Sequence, residues 1–418
     1  MLFSLIRIFH KQKSAELSAL IYQKFSRLLD YLKSESGIIK IHIIYSEVFM
    51  GTIDNIRKFD KIITILFIAA VTIGFIFISS ATRSMGTVQF VIVQAAALVI
   101  GLVLIGIITY ISYEDLAELW KLFAGISIFL LVLVLIVGIG SEETGTKGWI
   151  RVGGIGIQPA EPVKIFFILT LAKHLDTVKG DINYIKNVAM LLLHLAVPLA
   201  LVLAQPDAGT AMVFIFIFVV MVFVAGINWR YILAAFGAGA AACVAAWFFL
   251  LTNIQKQRIY AFIAPETAAD TYGYHVMQSK IAIGSGQLFG KGLFKGIQTQ
   301  LGYLPEKHTD FIFSVIGEEG GLIMCFIVTL ILMCMVLRCI KTAREAKDEL
   351  GSYICMGVAA MWLFHTFENI GMTIGLMPVT GIPLPFISYG GSSMITNCMA
   401  LGLVLNVYIR RKTLHFIS

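Results

Sequence analysis

Apolar residues run through this chain in long blocks. From Lys61 to about residue 408, apolar runs alternate with short polar breaks. A helix that crosses a bilayer needs about 20 mostly apolar residues. By that rule the pattern predicts roughly ten spanning helices, over 61–80, 88–111, 118–139, 161–176, 187–204, 208–226, 231–252, 310–338, 352–374 and 388–408. The fourth run is the weakest, because Glu161 and Lys164 stand in its first turn. The expected fold is therefore an all-α integral membrane protein of about ten transmembrane helices. Residues 1–59 are mixed and amphipathic, and the apolar stretch at 38–44 is too short to span. The first residues lack a small-residue cleavage site, so no cleavable signal peptide is expected.

Lysine and arginine near the ends of the runs set orientation. Arg57, Lys58 and Lys61 precede the first run, which places the N-terminus in the cytoplasm. Ten crossings put Lys173, Lys179, Lys186, Arg230, Arg338, Lys341, Arg344, Lys347, Arg410, Arg411 and Lys412 on that same side, the C-terminus included. Residues 253–309 then form a large extracytoplasmic loop between helices 7 and 8. A loop this long is usually functional or disordered, and its aromatic, glycine, Gln and Ser content reads as ordered. The domain expectation is a cytoplasmic extension over 1–59, a membrane domain over 60–412 and a cytoplasmic tail over 413–418.

Composition agrees with lipid as the solvent. The 418 residues are 58% hydrophobic and 14% charged, against about 25% charged in soluble domains. The net charge of +7 lies at the ends of the runs, and no nucleic-acid motif accompanies it. The six cysteines lie in apolar runs without CxxC spacing and read as small buried hydrophobes. No internal repeat is visible, which weakens a transporter built of inverted repeats.

Polar residues at membrane depth are costly, so they are candidates for function. Four groups stand out, all on the predicted outer side. In GTKGWIRVGGIGIQPAEPVK (145–164), Glu161 and Lys164 share a helix face and can pair. That pair could pin a helix end, or Lys164 or Arg151 could meet a phosphate; Trp149 and Gln158 would line the same place. In AQPDAGTA (204–211), Gln205 and Pro206 precede Asp207, which suits a helix N-cap as well as a site.

The third group contains QKQRIYAF with Arg258, GYHVMQSKIAIGSGQLFGKG with Gln278, Ser279, Lys280, Gly284 and Gly286, and LPEKHTDFIFSVIGEEGG with His308 and Asp310. Asp310, Ser314, Gly317 and Gly321, with Glu318 nearby, would form a small, polar helical stripe facing a cavity. Asp310 could equally be a first-turn acid favoured by the helix dipole. The glycine-rich stretch fits neither the P-loop nor GxGxxG. Its glycines suit close approach of backbone to backbone or to a pyrophosphate. The fourth group, NIGMTIGLMPVTGIPLPFISYGGSS (369–393), has prolines that stop one helix, then Ser388, Tyr389, Gly390 and Gly391 opening the next. Such irregular backbone is tolerated where it lines a cavity or is buried in protein. His174, His194 and His365 read as isolated, packed residues. No metal or hydrolase motif is present.

The runs QPAEPVK, QSKIAIGSG, LPEKHTDFIFSVIGEEGG and NIGMTIGLMPVTGIPLPFISYGGSS resemble the shape, elongation, division and sporulation (SEDS) family over about residues 55–412. GLMPVTGIPLPF is more similar to its rod-elongation branch, RodA, than to its division branch, FtsW. The resemblance implies a peptidoglycan glycosyltransferase of the bacterial cytoplasmic membrane. Such an enzyme joins the disaccharides of lipid II into glycan strands and releases undecaprenyl diphosphate. It implies that Asp310 is the essential aspartate of the HTDFIF motif and that Glu161 and Lys164 are the polar pair of QPxExxK. The implied partners are a class B penicillin-binding protein, other elongation-machinery proteins, lipid II and membrane lipid, with no nucleic acid.

Chemically, Asp310 suits a general base for the acceptor hydroxyl. Direct attack would invert the anomeric carbon. The pyrophosphate needs neutralising, with Arg151, Lys164, Arg258 and Lys280 as candidate cations. A divalent cation, Mg²⁺ or Mn²⁺, is expected, with no organic cofactor. A lipid II flippase and a scaffold that activates a penicillin-binding protein are the alternatives. The chain departs from the rod-elongation pattern by roughly fifty extra N-terminal residues, and Met50 stands where such chains begin.

Overall fold

The computed structural model describes residues 58–139, 147–152, 155–249, 256, 260, 262–263 and 272–411. The chain divides into two units, Met1–Lys58 and Phe59–Ser418, and the elements below belong to the second. In order they are α1 (Lys61–Arg83), α2 (Gln89–Tyr110), α3 (Tyr113–Glu118), α4 (Trp120–Val137), β1 (Ile150–Val152), β2 (Ile155–Ile157), α5 (Ala160–Val178), α6 (Ile185–Leu203), α7 (Ala208–Val224) and α8 (Trp229–Phe249). They continue with α9 (Tyr272–Ser285), α10 (Ile297–Gln300), α11 (Ile312–Glu345), α12 (Glu349–Thr373) and α13 (Gly391–Ile409).

Ten of these helices coincide with the ten predicted spans, and the fold is that of an all-α membrane protein. Seven described helices are long and apolar enough to cross a membrane by length and composition. Over their most apolar stretches, α12 and α13 are 72% buried inside the protein, whereas α4 is 11% buried. The first two are therefore the centre of the bundle, and α4 presents its apolar surface outward. Polar residues concentrate where burial is greatest: Asn397, Asn406, Glu368 and Asn369 are all buried on α12 and α13.

Without a hydrophobic drive between helices in lipid, close packing of small residues holds them together. The pairing of α2 with α13 follows this rule. Gly402 backs onto Ile105 and Ile108 of α2, where an added Cβ would come within 3.3 Å of both. Asn406 then donates to the carbonyls of Ile108 and Ile111, satisfying the free end of α2.

One end of the bundle gathers the basic residues. Asp60 caps α1 by accepting from Ile62 N at 2.9 Å, and pairs with Arg338 of α11. Arg411, beyond α13, lies 3.5 Å from Glu345 at the end of α11. The start of α1 and the ends of α11 and α13 thus share one end, as an even number of crossings requires.

The all-α bundle also carries two short strands, Ile150–Val152 and Ile155–Ile157, paired antiparallel with Ile150 opposite Ile157 and Arg151 opposite Gly156. Two sequence expectations need correction. First, α11 starts at Ile312, so Asp310 precedes the helix and is neither its cap nor a member of its face. The predicted stripe also breaks at Gly321, whose φ of 73° is non-helical. Finally, Ser314 and Gly317 face protein instead of a cavity. Ser314 Oγ lies 2.6 Å from Ser279 Oγ of α9, and a Cβ on Gly317 would come within 3.2 Å of Ile283 backbone.

The glycines of the predicted external segment act as the sequence suggested, by backbone approach. A side chain on Gly286 would enter the carbonyls of Gly317 and Glu318. Gly290, at φ 78°, donates to Gly286 O at 2.8 Å and lies against Glu319. Gly284 has open space around it, so close approach does not explain that glycine. Among the described residues the cysteines are free, as expected; the side chain of Cys243 lies outside the described residues.

Candidate active site

At the end of the bundle opposite the basic residues, four motifs distant in sequence meet. Pro159 sets the entry to α5, as proline does in a first turn, and puts Glu161 and Lys164 one turn apart. Both are buried, at 4% and 1% exposure, and Lys164 Nζ lies 2.8 Å from Glu161 Oε1. Burying a charged pair is tolerated when its hydrogen bonds are good. A third group supplies one: His365 Nε2 of α12 lies 3.0 Å from Lys164 Nζ. His365 is therefore not the isolated packed residue that the sequence suggested.

Asp207 caps α7, accepting from Thr210 N at 2.9 Å and Thr210 Oγ1 at 2.8 Å. Its second oxygen also accepts from Gln158 Nε2 at 3.2 Å. The cap and the site readings hold together, since one carboxylate oxygen does each task. Gln158, Glu161, Lys164, Asp207, Thr210, His365 and Gly381 line a narrow polar cleft of about 20 Å³, room for a water or a single anionic atom.

Asp310 is tied to the strap of residues 374–390, which also supplies Gly381, Ile382 and Pro383 to the cleft. The turn that carries it is tied down at three successive carbonyls. His308 O accepts from Tyr389 N at 2.9 Å, Thr309 O from Ser388 Oγ at 2.7 Å, and Asp310 O from Asn369 Nδ2 at 2.8 Å. Asn369 Nδ2 also donates to Ile382 O at 2.8 Å, and Glu368 Oε1 accepts from Thr380 Oγ1 at 2.8 Å. Those two bonds hold the strap on either side of Gly381. A Cβ built on Gly381 would come 3.3 Å from Asp310 Oδ2. The Asp310 carboxylate thus stands beside Gly381, a residue of the cleft lining, half-buried and with its backbone fixed. Gly381 at φ 78° keeps the strap open to it in a conformation that glycine adopts without strain.

The cell cycle protein family FTSW_RODA_SPOVE matches residues 60–413. The chain belongs to this family. It is 37% identical to the peptidoglycan glycosyltransferase MrdB of Escherichia coli K12, over 69% of this chain and 77% of that protein. It is 33% identical to a probable peptidoglycan glycosyltransferase FtsW of Geobacter metallireducens, over 87% of this chain and 98% of the other. Among solved structures, the rod shape determining protein RodA of Thermus thermophilus has a TM-score of 0.64 at 30% identity, covering 85% of this chain and 98% of that one. A chain from a study of how a peptidoglycan synthase complex coordinates polymerization and crosslinking has a TM-score of 0.72 at 31% identity, covering 84% and 97%. Both branches match at similar identity, so the likeness does not separate them.

In this FTSW_RODA_SPOVE chain the remaining candidates fall into different places. Arg151 is exposed on β1, among residues that cross-pair with Gly156. Lys280 is exposed on α9, its side chain beside Gly375. Arg258 lies outside the described residues. His308 and Tyr389 form an aromatic cluster with Phe90, ring centres 4.6–5.4 Å apart. Burial holds the His308 imidazole below its ordinary range, so it is neutral near pH 7.

Several candidates are structural. Ser388 also accepts from Leu384 N at 2.8 Å. Gly390 N donates to Gln94 Oε1 at 3.0 Å, and a Cβ on Gly391 would meet Ala97 and Val93 of α2 at ordinary contact distance. Gln205 donates to Leu131 O at 3.1 Å and its carbonyl accepts from Lys147 N, while Pro206 is the half-buried link to Asp207. Trp149 covers Gly156, and its carbonyl accepts from Ile139 N at 2.9 Å. Ser279 donates to Thr373 O at 2.6 Å, tying α9 to α12; Gln278 beside it is half-buried.

Glu318, expected beside a polar helical stripe facing a cavity, is given over to the external segment. It is fully buried and accepts from Lys291 Nζ at 3.0 Å, Gln298 N at 2.9 Å, Thr299 N at 2.9 Å and Thr299 Oγ1 at 2.8 Å. Glu318→Ala strands the buried Thr299 N–H and hydroxyl and the half-buried Gln298 N–H. A loss of about 3 kcal/mol or more follows from the cost of unmet buried groups. Thermal unfolding in detergent should show the lower midpoint, and an unchanged midpoint would refute this role.

The residues that sequence reasoning missed are Gln94, His365, Glu368 and Asn369. Their signal was available: each is a polar group inside an otherwise apolar run.

Proposed function

We propose that the chain is a peptidoglycan glycosyltransferase that polymerises lipid II at the outer face of the bacterial cytoplasmic membrane, in the rod-elongation branch, with both termini cytoplasmic. The observation that carries this reading is the convergence of Asp310 with the buried Lys164–Glu161 pair across Gly381. A base and a fixed cation beside one narrow cleft suit transfer of a sugar from a pyrophosphate.

In that reaction the acceptor sugar hydroxyl attacks the anomeric carbon of the donor. Asp310 accepts the hydroxyl proton as the new C–O bond forms. The bond from the anomeric carbon to the pyrophosphate oxygen breaks, and undecaprenyl diphosphate leaves with the electron pair. Lys164 lines the cleft as a fixed positive charge for the leaving oxygens, pre-positioned by Glu161 and so needing no reorganisation. At about 20 Å³ the cleft admits an anionic atom but no sugar ring. The saccharides therefore lie on the open side of Asp310.

A divalent cation, Mg²⁺ or Mn²⁺, would add charge neutralisation. Such a cation would come in with the substrate phosphates and meet one protein carboxylate, the usual manner for Mg²⁺. A class B penicillin-binding protein is the proposed partner that crosslinks the strands.

The test is purified protein with lipid II, with and without chelator and with and without that partner. Long glycan strands, suppressed by chelator, are expected. Movement of lipid II across a bilayer without strands would replace this reading with a flippase.

A further inference from the structure

Lys164 has two close partners besides the cleft, and the second determines its own chemistry. His365 is fully inside the bundle, and both ring nitrogens are engaged. Nδ1 lies 3.1 Å from Pro383 O, and Nε2 lies 3.0 Å from Lys164 Nζ. A backbone carbonyl can only accept, so Nδ1 carries the proton. An ammonium can only donate, so Nε2 is the bare nitrogen. The hydrogen-bond network thus assigns one neutral tautomer, as networks do where hydrogens are unseen.

This arrangement has two consequences. Two of the three ammonium protons of Lys164 are taken, one by Glu161 and one by His365. The third has no partner among the described residues, on a side chain that lines the cleft. The other consequence is a mechanical link. Pro383 is on the strap, two residues from Gly381, and Asp310 stands at Gly381. One imidazole therefore joins the lysine on α5 to the segment that faces the proposed base.

We propose that His365 is a positioning residue for transglycosylation: its neutral ring, oriented by the carbonyl of Pro383, aims the third Lys164 N–H at the leaving phosphate. The inference rests on the glycosyltransferase reading and adds a residue that acts through Lys164 without touching substrate.

Two near-isosteric substitutions separate the two ring nitrogens. The side-chain amide of glutamine in His365→Gln reaches the Nε2 position and can accept from Lys164. The shorter amide in His365→Asn occupies the Nδ1 position and keeps the bond to Pro383 but leaves Lys164 without its acceptor. Polymerisation of lipid II is measured for both, with kcat and KM separated. His365→Gln should keep kcat within about threefold, and His365→Asn should lose about tenfold or more, the scale of one hydrogen bond to a charged group, with KM little changed. Equal losses in the two variants would overturn the proposal, because simple packing does not distinguish the nitrogens.

A folding failure is also informative. His365→Asn is repeated in a Glu161→Leu/Lys164→Met background and followed by melting temperature. If it unfolds the native background but not the apolar one, the stranded lysine is the cause. If it unfolds both, the role is packing alone. A wild type that makes no strands would instead count against the glycosyltransferase reading itself.

Discussion

Asp310→Asn should abolish glycan polymerisation while leaving the fold intact. The expected loss is about 10²–10⁴-fold, the usual contribution of a positioned general base. Asparagine keeps the size and the backbone of the turn, and the three carbonyl ties of residues 308–310 do not involve the Asp310 side chain. The melting temperature in detergent should therefore stay close to that of the wild type. Asp310→Glu adds one methylene beside Gly381, where the space for a Cβ is already 3.3 Å from the carboxylate, and should recover only part of the activity. Strand length on gels, with lipid II consumption followed in parallel, gives the readout. If Asp310→Asn polymerises like the wild type, the aspartate is not the base. A variant that loses activity together with its fold would point to the turn instead of to chemistry.

The bundle was legible because its signal is simple: runs of about 20 apolar residues, in lipid, have no option but to form helices. The one spanning helix that was hard to see, α5, is weak for a reason. It carries Glu161 and Lys164, which cost it hydropathy and give the site its charge. The residues missed were hidden by the same logic in reverse. His365, Glu368 and Asn369 sit one after another in a helix that is otherwise apolar, and the sequence does not say which of its faces is buried. What decided the matter is the strap: Glu368 accepts from Thr380 Oγ1, while Asn369 donates to Ile382 O and His365 Nδ1 to Pro383 O. Such contacts join positions that sequence spacing cannot relate. The misplacement of Glu318 has the same origin. A carboxylate at helical spacing from Asp310 looked like part of one face, but the break at Gly321 and the fold of the external segment turned it into an anchor for residues 298–299.

Removing either member of the buried pair should destabilise the protein more than removing both. Lys164→Met leaves the Glu161 carboxylate uncompensated at 4% exposure, and Glu161→Leu leaves the ammonium with His365 alone. Each should cost about 3–5 kcal/mol, the usual penalty for breaking a buried pair. The double variant Glu161→Leu/Lys164→Met replaces two charges by apolar groups of similar bulk, and such replacements are often neutral or stabilising. Its melting temperature should return toward that of the wild type, giving an interaction energy of the kind expected for directly touching residues. Its activity should not return, because the fixed cation beside the leaving oxygens is gone. Stability and activity therefore part company across one cycle: the double variant regains the first and not the second. A double variant as unstable as either single one would show that the pair holds the start of α5 in place, and a stable double variant that still polymerised lipid II would remove Lys164 from the mechanism.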